Sequence, residues 1–207
     1  MTIYYIDYHN KEYIEKNEFK LNNLIIKILF TPISNNNKFT KDYLNDIQAD
    51  QLDNLLYKKP DSCFYDEIKS YDSIFIKPET VSLNYNRFYI GSLFIFDDDN
   101  IIGFLSYQFN VNKKLKDRVL IENVCLNKKY RGFNIFTKIF NWFLNQVKII
   151  YKNYNKNFEG YHLTIWKESP FNLDNKIYKL YQKFNFKYLE TEFYNKKRTY
   201  IHMIKND

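Results

Sequence analysis

Val124-Cys125-Leu126-Asn127-Lys128-Lys129-Tyr130-Arg131-Gly132-Phe133-Asn134-Ile135-Phe136 is the stretch on which the reading of this chain turns. Its first residues close the run Arg118 to Leu126 (RVLIENVCL), which has the two-residue period of a β-strand. Leu120, Glu122, Val124 and Leu126 fall on one face, and Val119, Ile121, Asn123 and Cys125 on the other. Its last residues open a run in which Phe136, Ile139, Phe140, Phe143, Leu144 and Val147 recur at the spacing of one helical face. Between strand and helix lies a short basic loop, Asn127 to Gly132, holding one of only four glycines in 207 residues. The first amides of a helix have no internal partners and sit at the positive end of its dipole, so such a junction suits an anion. Lys128, Lys129 and Arg131 add charge around it. A phosphate or diphosphate group is the natural guest.

Outward from this junction the pattern stays regular. Downstream, Gly160 to Trp166 (GYHLTIW) reads as a strand, followed by a Pro-containing loop and a helix with Ile177, Leu180, Tyr181 and Phe184 on one side. The tail alternates again through Phe186 to Leu189 and Thr199 to Ile204. Upstream, Phe88 to Phe96 and Ile101 to Phe109 flank Asp97-Asp98-Asp99-Asn100, which has the composition of a hairpin turn. Before residue 80 the pattern is irregular. Asn22 to Pro32 reads as a buried strand, and Thr40 to Lys59 carries Leu44, Ile47, Leu52, Leu55 and Leu56 at roughly helical spacing. The order predicts a mixed α/β fold, a central mixed sheet with helices against it. One domain over residues 1–207 is expected, with its clearest part at 84–207 and a role for residues 1–80 that the pattern leaves open.

Composition narrows the function classes. The chain is 45% hydrophobic, enough for a core, and unusually aromatic, with 20 Tyr and 19 Phe against the single alanine Ala49. The net charge of +7 is compatible with an anionic partner, but the lysines are scattered and form no recognised nucleic-acid motif, so a nucleic-acid partner is not expected. Cys63 and Cys125 read as two isolated thiols without metal-ligand spacing, which argues against a metal site and a disulfide framework and for an intracellular, reducing setting. Neither a signal peptide nor an 18-residue apolar run is visible, so a soluble protein without a membrane partner is expected.

The junction resembles the cofactor signature of the GNAT N-acetyltransferases, Q/R-x-x-G-x-G/A, in either of two registers. From Arg131, Asn134 and Phe136 stand at the glycine positions; from Lys129, Gly132 and Asn134 do. Asparagine is the mildest replacement for a turn glycine, because it tolerates left-handed backbone. A second stretch, Leu180-Tyr181-Gln182-Lys183-Phe184-Asn185-Phe186, resembles the family's L-Y-x-K-x-G-F, again with asparagine for glycine, here at a helix C-terminus. The two motifs stand in the family's order, separated by a strand.

The resemblance implies a GNAT-like fold and direct transfer of acetyl from acetyl-CoA to an amine, without a metal. It implies that the strand pair Arg118–Leu126 and Gly160–Trp166 splays. Backbone at Val124 and Leu126 would then meet the pantetheine arm, and the segment Lys129, Arg131, Gly132, Phe133, Asn134, Ile135 and Phe136 would receive the diphosphate. Asn175, or Asp174 beside it, would touch the cofactor arm. Tyr181 would protonate the departing thiolate, since a phenol is protonated at neutral pH. Glu122, or next His162, would take the proton from the amine. The amine acceptor stays unidentified, and a GNAT-like module that binds without catalysis is the alternative.

Overall fold

Alternation of apolar and polar residues becomes strand where the chain can pair it. The computed structural model describes residues 15–21, 24–31, 44–58, 63, 90–109, 115, 117–154, 157–168, 176–195 and 198–207. Its strands are β1 (Glu15–Leu21), β2 (Leu24–Thr31), β3 (Ile90–Asp97), β4 (Asn100–Phe109), β5 (Arg118–Leu126), β6 (Gly160–Glu168), β7 (Lys187–Asn195) and β8 (Arg198–Asn206). Its helices are α1 (Asp46–Asp53), α2 (Ile135–Tyr154) and α3 (Lys176–Gln182). Hydrogen bonding orders the strands β1-β2-β3-β4-β5-β6-β8-β7, a mixed sheet in which β5 and β6 pair in parallel. The chain forms two compact units, residues 1–108 with 123–136 and residues 109–122 with 137–207, so that β5 and α2 each contribute to both.

In the first unit β1 to β4 form an antiparallel meander, with Asp98 (φ 51°) turning the β3–β4 hairpin. β1 has no counterpart in the sequence reading. Its residues, EKNEFKL, are too polar to announce a strand, and it exists because every one of them pairs across β2. Helix α1 begins at Asn45, whose side chain and that of Gln48 form a reciprocal capping box. Leu52, Leu55 and Leu56 cluster with Leu29, Phe94, Phe96, Ile101, Phe104 and Cys125. Ile47, expected on this apolar face, is instead 73% exposed: α1 starts only at Asp46, which leaves Ile47 in its first turn, ahead of the buried stretch.

The reading of Cys63 and Cys125 as isolated thiols is corrected. They form a disulfide across a sequence separation of 62 residues. β5 buries Cys125 in the cluster under α1, and the Cys63 N–H donates to the Leu55 carbonyl (3.0 Å), which brings the second sulfur alongside. The argument from thiols to a reducing compartment falls with it.

The second unit is built on a short parallel ladder, Arg118–Ile121 against Gly160–Leu163, and a longer antiparallel one between β6 and β8. Ile139, Phe140, Phe143, Leu144 and Val147 of α2 are buried, as their spacing requires. The Tyr161 hydroxyl donates to the Leu144 carbonyl and so places α2 on that side of β6. On α3 the buried positions are Tyr178 and Tyr181, whereas Ile177, expected inside, is 49% exposed. The helix is only seven residues long, and its inward stripe runs through Tyr178, Tyr181 and, just beyond it, Phe184. Phe140 is the hub of this packing, with Tyr181 at 5.8 Å, Phe184 at 4.7 Å and Phe186 at 6.3 Å between ring centroids. Among the described residues no helix is long and apolar enough to cross a membrane.

Candidate functional site

The junction between β5 and α2 lies wholly in the first unit except for the body of the helix. Asn127 ends the strand twice over. Its N–H still pairs with the Ile102 carbonyl of β4 (2.8 Å), while its side chain accepts from the Lys129 N–H (3.0 Å) and starts one 3-10 turn, Lys128–Tyr130. The Tyr130 hydroxyl donates to Asp97 Oδ2 at 2.6 Å, which pins the loop to the β3–β4 hairpin. That bond to a carboxylate, aided by burial, pushes the phenol up to about 12.

After this turn the backbone enters left-handed space at two places, Gly132 (φ 89°) and Asn134 (φ 62°), and Ile135 opens α2. Counted from Lys129 these are the two glycine positions; counted from Arg131, Asn134 is the first of them and Phe136, where the pattern also allows alanine, stands in helical backbone. A Cβ added to Gly132 would meet nothing within 4 Å, so the loop is open on that side. The side chain of Ile135 is buried and that of Phe133 is 53% exposed, leaving backbone as the common feature of the segment.

β5 presents its remaining edge through Val124 and Leu126. Successive N–H groups of a strand point to opposite edges, and Asn127 points to β4, so Leu126 and Val124 point away from it. The side-chain bond from Asn123 to Ser106 (2.8 Å) keeps the same register with β4 four residues earlier. Arg131 does not simply add charge to the loop: its Nε donates to the Leu126 carbonyl (2.8 Å), with a second nitrogen 3.8 Å from Cys63 Sγ. The guanidinium thus braces the strand end against the loop. Nothing in its spacing from Leu126 announces this.

The second unit holds Glu122, His162 and Tyr181. Tyr181 is in the last turn of α3, where Phe184 and Phe186 both donate N–H bonds to its carbonyl (3.0 and 3.2 Å) and Asn185 takes φ 65°. Asn185 is therefore the left-handed stop that the L-Y-x-K-x-G-F pattern assigns to glycine. Burial among Phe140 and Phe186 raises the Tyr181 phenol well above its ordinary value, so it is protonated at any physiological pH. Glu122 follows the last ladder residue of β5, half-buried, with Oε2 enclosed.

His162 faces away from α2, opposite to Tyr161 along β6. It is buried, and burial first, then the charges of His202 and Arg118, lower it to about 4. His202 lies 3.1 Å from it and was not singled out by the sequence, where the two are 40 residues apart. Asn175 and Asp174 lie outside the described residues.

No protein-family model matches the chain, and no curated protein matches it in sequence. Solved structures do match. An aminoglycoside 6'-N-acetyltransferase complexed with coenzyme A aligns over 82% of this chain and 94% of its own, at 14% identity and TM-score 0.55. The chain has the GNAT fold. An aminoglycoside 6'-acetyltransferase type Ii aligns over 92% and 96% (14% identity, TM-score 0.52). A ribosomal-protein-alanine N-acetyltransferase from Brucella melitensis aligns over 77% and 95% (14% identity, TM-score 0.50). On this GNAT fold both asparagines that stand for motif glycines, Asn134 and Asn185, have the backbone that a glycine would supply.

Proposed function

We propose that this chain is an acetyl-CoA-dependent N-acetyltransferase that delivers acetyl directly to a primary amine. The observation that carries the reading is the pair of left-handed residues, Gly132 and Asn134, immediately ahead of α2 on a GNAT fold. The donor, when bound, supplies an activated acetyl thioester. Backbone of the segment from Arg131 to Phe136, with Lys129 nearby, takes its diphosphate at the positive end of the helix dipole. The outward edge at Val124 and Leu126 bonds the pantetheine arm as an added strand would. Asn175 is assigned to the same arm. The Tyr181 hydroxyl donates a proton to the leaving sulfur, and the amine proton passes to Glu122 or His162.

An amine acceptor is supported by the solved structures that share the fold, two aminoglycoside acetyltransferases and a ribosomal-protein-alanine N-acetyltransferase, which makes an aminoglycoside and an alanine peptide the first acceptors to try. The decisive experiment incubates the chain with acetyl-CoA and either kanamycin or a peptide beginning with alanine, and follows release of coenzyme A. Before turnover is sought, acetyl-CoA alone at a hundred times its dissociation constant should stabilise the fold by about 2.7 kcal/mol, raising the melting temperature by roughly 5–10 °C. An unmoved melting temperature at millimolar acetyl-CoA would favour a module with the fold but not the ligand.

The loop itself is tested at Asn134. Glycine adopts its φ of 62° without strain, so Asn134→Gly should bind acetyl-CoA as well as the wild type or better. Valine resists that conformation by about 1–2 kcal/mol, and Asn134→Val should bind roughly tenfold more weakly. Calorimetric titration of the three proteins checks this, and equal affinities would remove Asn134 from the diphosphate loop.

A further inference from the structure

His162, His202 and Glu192 make a hydrogen-bonded row across β6, β8 and β7, entirely within the second unit. His162 Nε2 is 3.1 Å from His202 Nδ1, and His202 Nε2 is 3.2 Å from Glu192 Oε2. The two imidazole planes are within 13° and their centroids 5.3 Å apart. The N···N distance plus the two ring radii accounts for nearly all of that separation, so the rings meet edge to edge in one plane. That is the alignment of an imidazole–imidazole hydrogen bond rather than of a face-to-face stack. Thr164 Oγ1, at 3.4 Å from His202 Nδ1, flanks the contact.

Exposure gives the row a direction. His162 is 5% exposed, the His202 side chain 15% and the Glu192 side chain 65%. Charge points the same way. On this side of the strands the register brings Arg118 of β5 to the His162 end and Glu190 and Glu192 of β7 to the His202 end, with Lys187 beyond Ile204 and Glu122 following the β5 ladder. Arg118 and Lys187 outnumber Glu122 at the inner end, and Glu190 and Glu192 lie at the outer one, which favours positive charge moving outward.

The tautomers follow from the carboxylate. Glu192, ionised, can only accept, so His202 carries hydrogen on Nε2 and, when neutral, leaves Nδ1 as an acceptor. His162 must then donate from Nε2, which makes Nδ1 its accepting nitrogen.

We propose that this row is the exit for the proton released by the amine, an inference that rests on the acetyl-transfer reading. His162 gains a proton at Nδ1 and gives its Nε2 proton to His202 Nδ1. His202 gives its Nε2 proton to Glu192, which loses it to water; each ring returns to its starting tautomer by losing the Nδ1 proton and regaining one at Nε2 through exchange with water. No ring holds a net charge at the end of the sequence. This is how a histidine kept neutral by burial serves as a base: the charge never has to stay on it. His202 and Glu192 are positioning and relay groups, and His162 is the one that receives the proton.

Nitrogen-15 NMR of the histidine rings tests the row without any acceptor. The expected result at neutral pH is the Nε2–H tautomer for both His162 and His202; an Nδ1–H tautomer on either ring overturns the proposal. Kinetics then test the exit with whichever of kanamycin and the alanine peptide is acetylated. Glu192→Gln, on a side chain that is 65% exposed, should lower kcat at least tenfold with KM for acetyl-CoA unchanged, and millimolar imidazole in the buffer should restore it. His202→Phe should show the same loss, and Glu192→Gln decides alone where that protein does not fold. Unchanged kcat in Glu192→Gln, or a loss that imidazole leaves in place, overturns the exit role. A wild type that acetylates neither amine overturns the functional reading and the exit with it, whereas the tautomer result reports on the row independently of both.

Discussion

Tyr181→Phe should retain acetyl-CoA affinity and lose about a hundredfold or more in kcat, the usual worth of a general acid. The substitution removes one oxygen and keeps the ring. That ring is what packs with Phe140 at 5.8 Å and Phe186 at 5.9 Å, so the fold of the second unit should survive. Burial raises the phenol above its ordinary value, which excludes a tyrosinate and leaves donation as the hydroxyl's contribution at assay pH. The measurement pairs turnover with equilibrium binding of acetyl-CoA in the same variant. Undiminished turnover rejects the acid role. Loss of binding and turnover together would mark Tyr181 as a packing residue and leave the GNAT fold without this proton donor.

Gly160→Ala should cost roughly 3–4 kcal/mol of stability, the range of strained-backbone and overpacking mutants. Gly160 begins β6 at φ 126°, where side chains are rarely tolerated. A Cβ there would lie 2.1 Å from the Lys205 carbonyl oxygen and 3.0 Å from backbone atoms of Asn206 and Asp207. None of these is a flexible side-chain tip. The neighbourhood is tied down by Arg118, which donates to the Glu159 and Lys205 carbonyls (3.3 and 3.2 Å) and to Asn206 Oδ1 (3.0 Å). Gly132→Ala provides the contrast: it shares a positive φ but has open space around its Cβ, so it should lose only about 1 kcal/mol. Urea unfolding of both variants checks the difference, and similar midpoints would show that the β6 turn relaxes.

Where local periodicity and core packing agree, the sequence was legible. β5 has the bounds that its alternation implies, Arg118–Leu126, and α2 buries its predicted stripe from Ile139 to Val147, with Phe136 only half-buried. Where pairing rather than pattern makes the element, it was not. β1 is strand because β2 offers it partners, and α3 turns Tyr178 inward in place of Ile177 because a helix of two turns is oriented by its aromatic neighbours. The site divides in the same way. The junction and the Tyr181 motif were visible as residues, and the left-handed backbone at Gly132 and Asn134 needed the structure.

By itself the sequence determined the order of elements from β2 onward and the two places, Asn134 and Asn185, where an asparagine could stand for a turn glycine, because backbone preference is a property of a residue and its immediate neighbours. Only the tertiary structure decided the Cys63–Cys125 bond, the bracing of Leu126 by Arg131, and the row from His162 through His202 to Glu192. The disulfide and the histidine row join groups far apart in the chain. In all three, a few ångströms and the angle of a bond decide the chemistry, and pairing of strands and packing of side chains set those, not spacing along the sequence.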